Sequence, residues 1–70
     1  MPRELHWTDV EEIAIQLYEQ DPGQDPLQVR FTDLRDRVMA LPGFADPREK
    51  CSEKILEAIQ MAWLEEYQEA

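Results

Sequence analysis

Residues 52–66 read SEKILEAIQMAWLEE and lie within the longest run of the chain that holds neither glycine nor proline. Ile55, Leu56, Ala58, Ile59, Ala62 and Trp63 recur there at three- and four-residue spacing. On a helix these side chains cover roughly half the circumference, wider than the usual amphipathic stripe. An arc that wide predicts a helix with neighbours on two sides. The rest of the chain is read by what it can lay against that arc.

Seventy residues make one domain, 1–70, near the lower limit of what folds alone. A single cysteine, Cys51, rules out a disulfide framework. With 43% hydrophobic residues the chain can still build a packed core, so a folded domain is expected rather than an acidic disordered tail. No apolar run approaches the ~20 residues of a membrane span, and the N-terminus lacks the apolar segment of a signal peptide. A cytoplasmic protein is expected. The net charge of −9 disfavours nucleic acid and anionic membranes, both of which call for Lys and Arg. It favours cations or a basic protein surface. The acids crowd the ends: residues 1–29 carry seven acids and one base, and residues 55–70 carry four acids and no base.

Thr8 and Glu11 have the spacing of a capping box, which predicts a first helix over about 9–20. Val10, Ile13, Ala14, Leu17 and Tyr18 fall on its apolar face, and Asp9, Glu12, Gln16 and Glu19 on the opposite one. Prolines at 22 and 26 and a glycine at 23 make a loop. A turn or a minimal extended segment follows near 27–31. Thr32 is read as the cap of a second helix over about 33–41, with Leu34, Val38 and Leu41 inward. Pro42 and Gly43 stop that helix, Phe44 plugs the core, and Asp46-Pro47 offers a cap for a short turn before Ser52. The fold class is therefore all-α or nearly so, a compact arrangement of three helices.

The same residues limit the chemistry. Cys51 and His6 are the one candidate nucleophile–base pair, and they sit near opposite ends of the chain. Cys51 stands at the start of the last helix, where the helix dipole could lower a thiol pKa. A small helix-start residue without redox role is the simpler reading, and His6 reads as an incidental polar neighbour of Trp7. One Cys and one His cannot supply a zinc or iron–sulphur ligand set. With two glycines there is no phosphate-cradling loop. What remains is a carboxylate stripe, Glu12, Gln16 and Glu19, running toward Asp21 and Asp25. Its hard oxygens suit Mg, Ca, Mn or ferrous iron in an exposed, weak site, and a solvated helix face is the alternative.

Three strings then stand out together: 5–9, LHWTD; 29–34, VRFTDL; and 53–64, EKILEAIQMAWL. They resemble the IscX family, small acidic proteins encoded with the bacterial iron–sulphur cluster assembly machinery, over roughly residues 5–66. The resemblance implies a helical fold of winged-helix-like topology and a non-catalytic accessory protein. It implies docking on the cysteine desulfurase, near where frataxin and ferredoxin bind, and no tightly bound cofactor. It also implies weak, transient Fe(II) binding through surface carboxylates. Glu12, Glu19, Asp21 and Asp25 are the expected iron ligands; Asp9, Glu12, Gln16, Glu19, Asp21 and Asp25 are the expected partner face. Two positions depart from the family pattern: 44–47 reads FADP where relatives often have a denser acidic run, and Arg37 stands where they often have an aromatic. A winged-helix nucleic-acid module and a redox enzyme built on Cys51 are the competing expectations. The resemblance does not separate iron adaptor from desulfurase modulator.

Overall fold

The computed structural model describes residues 4–69, so residues 1–3 and 70 of the expected domain lie outside the description. Three helices carry the fold: α1 Val10–Gln20, α2 Phe31–Met39 and α3 Glu53–Glu69. Single 3-10 turns at Pro26–Gln28 and Arg48–Lys50 interrupt the connections. Among the described residues the β-type pairing is confined to an isolated parallel bridge between Leu5 and Phe44. The all-α expectation stands, whereas no wing hairpin exists among these residues.

Helix α3 starts where Ser52 Oγ accepts the Ile55 N–H at 3.2 Å, satisfying one of the helix's unpaired first-turn donors. With no glycine or proline to stop it, the helix runs on to Glu69, beyond the expected end. It buries Leu56, Ile59 and Trp63, a seam narrower than the sequence predicts. Ile55 and Ala62 are half-buried and Ala58 is exposed. The reason is the shape of the molecule, 29 × 28 × 15 Å. With helix axes packing 8–10 Å apart, ~15 Å of thickness holds two layers. α3 is therefore covered on one side, chiefly by α1, with α2 and the Pro26–Gln28 turn at its flanks. Gln60 Nε2 fastens that turn by donating to the Pro26 carbonyl at 3.1 Å.

α1 buries Ile13, Ala14 and Leu17, as its pattern predicts. Its cap does not follow the prediction. The N-cap is Asp9, and no side chain caps the helix. Asp9 instead closes a turn with His6: its Oδ2 accepts the His6 N–H at 3.0 Å, and its own N–H donates to the His6 carbonyl at 2.9 Å. Thr8 is left exposed. α2 likewise begins earlier than expected. Leu34 N–H closes the first helical bond on the Arg30 carbonyl at 2.7 Å, which makes extended Arg30 the N-cap and puts Thr32 inside the helix. Leu34 and Val38 are buried, and so is Leu41 just past the helix end. The segment near 27–31 holds both a turn and a minimal extended piece: Leu27 and Gln28 belong to the 3-10 turn, and Val29 and Arg30 are extended before Phe31 opens α2. Asp25 Oδ1 accepts the Leu27 N–H at 3.0 Å and winds Pro26–Gln28 into the 3-10 turn.

The chain enters α1 through a clamp on the 43–47 loop. Gly43 takes φ 83°, a conformation that favours glycine, and its carbonyl accepts the Leu5 N–H at 2.8 Å. Ala45 N–H returns a bond to the Leu5 carbonyl at 2.9 Å. Leu5 and Trp7 are thereby carried into the core, and Phe44 meets the Trp7 ring edge-on with centroids 4.8 Å apart. Leu5, Trp7 and the seams of the three helices form one buried apolar cluster.

Candidate functional site

Burying Ile13, Ala14 and Leu17 turns the other side of α1 to solvent, and that side is acidic. α1 holds no basic residue, and Glu11, Glu12 and Glu19 have no cation partner among the described residues. Two shallow depressions run along it. One, of about 380 Å³, is lined by Thr8, Asp9, Val10, Glu11, Glu12 and Ile15. The next, of about 280 Å³, is lined by Glu12, Gln16, Glu19 and Gln20. Glu12 is common to both, so the two are neighbours along the helix.

Four of the expected partner residues therefore share this face: Asp9, Glu12, Gln16 and Glu19. Asp21 and Asp25 do not join them. Asp21 Oδ2 takes the Arg37 guanidinium at 3.5 Å, and Asp25 is occupied with the Leu27 N–H. The expected iron ligands are likewise not gathered. Glu12 and Glu19 are seven residues apart on one helix, a rise of ~10 Å at 1.5 Å per residue, too far to share one ion. Among the described residues no three of His, Cys, Asp and Glu converge to hold a metal.

Among the described residues no hydrogen bond joins Cys51 to His6. The His6 ring spends Nδ1 on Asp46 Oδ1 at 2.7 Å. Cys51 is half-buried, with Sγ 3.9 Å from the Ser52 carbonyl. Burial pushes its thiol pKa up, against a smaller opposing pull from Arg35. The lowering that a helix start could give is thus outweighed by desolvation.

His6 is not incidental either. Asp46 uses both carboxylate oxygens to fix the N-terminal segment, Oδ1 on the His6 ring and Oδ2 on the Trp7 N–H at 2.9 Å. Trp7 Nε1 donates to the next carbonyl, that of Pro47, at 3.0 Å. Asp46 is thus a fastener of the N-terminus rather than the expected cap. The hydrogen bond to Asp46 holds His6 above its ordinary 6.5, aided by the charges of Asp46, Asp9 and Glu4 and opposed by desolvation. The His6 bond, then the Trp7 N–H, hold Asp46 below its ordinary 3.8, with Lys50 adding a little.

A group held above its ordinary pKa stabilises the fold below that ordinary value and ceases to as pH rises through the raised one. A group held below its ordinary pKa stabilises above that value and fails as pH falls through the lowered one. The charged pair is therefore strongest between the two. A neutral ring keeps the hydrogen bond and loses the charge. The melting advantage of wild type over His6→Gln is expected to be full near about pH 5.5 and to shrink toward about pH 8.5. A gap that stays constant over that range in thermal melts would dismiss the charge contribution.

Beyond this geometry stands a comparison of the whole chain. The family described as iron–sulphur cluster assembly matches residues 5–68. The chain belongs to the IscX family. The match begins at Leu5, the residue that bridges to Phe44, and ends one residue short of the end of α3, so it takes in every element of the fold. A role in iron–sulphur cluster assembly follows from membership. This IscX-family chain is also 58% identical over 62 residues to an uncharacterised protein of Pseudomonas aeruginosa, covering 89% of itself and 94% of that protein. Among the described residues no helix is long and apolar enough to cross a membrane.

Proposed function

We propose that this IscX-family protein is a non-catalytic accessory of the cytoplasmic iron–sulphur assembly system, docking on the basic surface of the cysteine desulfurase through the acidic outer face of α1. The observation that carries the reading is that Glu11, Glu12 and Glu19 stand on one helix face with no cation partner among the described residues. Complementary charge then steers association and is screened by salt. Frataxin and ferredoxin would compete for the same basic surface. Fe(II) is cargo in this reading, held loosely by single carboxylates and exchanged with water, as suits either an adaptor or a modulator of the desulfurase.

The test is calorimetric titration of the desulfurase with the whole protein. Binding is expected at low salt, weakening as ionic strength rises. Exposed ion pairs are each worth ~0.2–1 kcal/mol, so Glu12→Gln with Glu19→Gln should lower affinity by about twofold to thirtyfold. The same pair of changes in Asp21 and Asp25, to asparagine, should cost less, because those carboxylates already have partners. No binding by the wild type at low salt would end this reading.

A further inference from the structure

The outer face of α1 is not wholly polar. Ile15 is 36% exposed, while Ile13, Ala14 and Leu17 on the same helix are buried. Helical geometry sets Glu11, Glu12 and Glu19 around it, four and three residues before and four after. Ile15 lines the larger depression together with Glu11 and Glu12. Nothing local recommends an isoleucine here. A β-branched residue is a poorer helix former than the Glu, Gln or Lys that a solvated face would carry. Its exposed apolar surface stabilises nothing within the described fold.

We propose that Ile15 is the apolar centre of the docking face, seated against an apolar side chain on a basic protein surface whose Lys and Arg residues pair with Glu11, Glu12 and Glu19. Interfaces concentrate affinity in a desolvated centre and leave charge to the rim, and this face has that layout. The occupant follows from the charge. A second copy of the chain would oppose three carboxylates to three more, a like-charge contact that is costly. A metal ion has no use for the isoleucine. A basic protein satisfies both parts of the face. The inference rests on the proposed desulfurase partnership for the identity of that protein.

The two parts of the face separate experimentally. Ile15→Ala, Glu12→Gln with Glu19→Gln, and Met61→Ala are each compared with wild type for desulfurase binding kinetics at low and high salt. Met61 is the control, an exposed apolar residue on α3. Ile15→Ala is expected to lower affinity about threefold to thirtyfold at both salt concentrations, mainly through faster dissociation. The carboxylate variant is expected to act mainly on association and to lose most of the salt dependence. Met61→Ala should change nothing. Wild-type binding that Ile15→Ala leaves intact would overturn this inference and spare the proposed function. Absence of wild-type binding would overturn both. Sedimentation showing wild-type self-association abolished by Ile15→Ala would assign the face to a second copy and also overturn the inference. Melts of Ile15→Ala close to wild type are expected, since the site is on the surface.

Discussion

Trp63→Ala is expected to remove most of the stability of the fold. Trp63 is fully buried, at the seam where α3 meets the rest of the core. Truncating a buried Trp to Ala typically costs ~3–5 kcal/mol, the lost transfer energy plus the cavity left behind. A domain of this length has about 3.5–10 kcal/mol in all, at ~0.05–0.15 per residue. Urea unfolding followed by helical circular dichroism should show a midpoint shifted to low denaturant or a chain already unfolded. A loss below about 1 kcal/mol would mean that the core closes over the gap, contrary to this packing. One detail tempers the conservative change. Trp63 Nε1 is buried without a hydrogen-bond partner, and the Arg37 guanidinium lies 6.0 Å from the ring centroid. An unpaired buried donor is a cost of ~1–3 kcal/mol. Trp63→Phe deletes it, and this offsets part of the volume lost.

Trp7→Ala is expected to be nearly as damaging, again ~3–5 kcal/mol, but for a different reason. Here the indole is fully bonded. Its N–H reaches the Pro47 carbonyl at 3.0 Å and its ring stands edge-on to Phe44 at 74°. An aromatic pair of that geometry adds ~0.5–1.5 kcal/mol beyond area burial. Trp7→Phe therefore loses a hydrogen bond, although the Pro47 carbonyl keeps the Lys50 N–H at 3.2 Å, whereas Trp63→Phe removes a stranded donor. The phenylalanine variant at 7 should be the less stable of the two in the same urea titration. The reverse order would show that volume outweighs hydrogen bonding at both sites. Trp7→Ala should also broaden the amide resonances of Leu5 and Ala45, whose N–H groups donate to the Gly43 and Leu5 carbonyls in the clamp that Trp7 joins.

How much of this was legible in the sequence follows from the range of each signal. The buried seams of α1 and α2, and the central seam of α3, were legible because a 3.6-residue period is a local property. The width of the α3 arc was overread, since Ala58 belongs to the pattern but a two-layer molecule has nothing to cover it with. The caps at Thr8 and Thr32 were misplaced because the deciding bonds are short-range competitors: the His6–Asp9 turn in one case, Arg30 and Leu34 in the other. The Asp46 fastener spans 40 residues from His6, and no local pattern announces a contact that distant. In the site, Asp9, Glu12, Gln16 and Glu19 follow from helix geometry. Asp21 and Asp25 lie apart from these four because the Pro22-Gly23 turn carries one to Arg37 and lets the other cap its own turn. Ile15 lies outside the apolar stripe of α1, and a helical wheel places it among the three glutamates.

The bridge between Leu5 and Phe44 has a consequence for the order in which this protein is made. During synthesis Leu5, His6 and Trp7 leave the ribosome well before residues 43–47, which their long-range hydrogen bonds reach. Closing a loop of that size costs about 3 kcal/mol in chain entropy before any contact repays it. Trp7, one of the largest buried side chains, therefore spends most of translation with its intended neighbours still unmade. The segment that holds Leu5 and Trp7 is among the last parts to find its place.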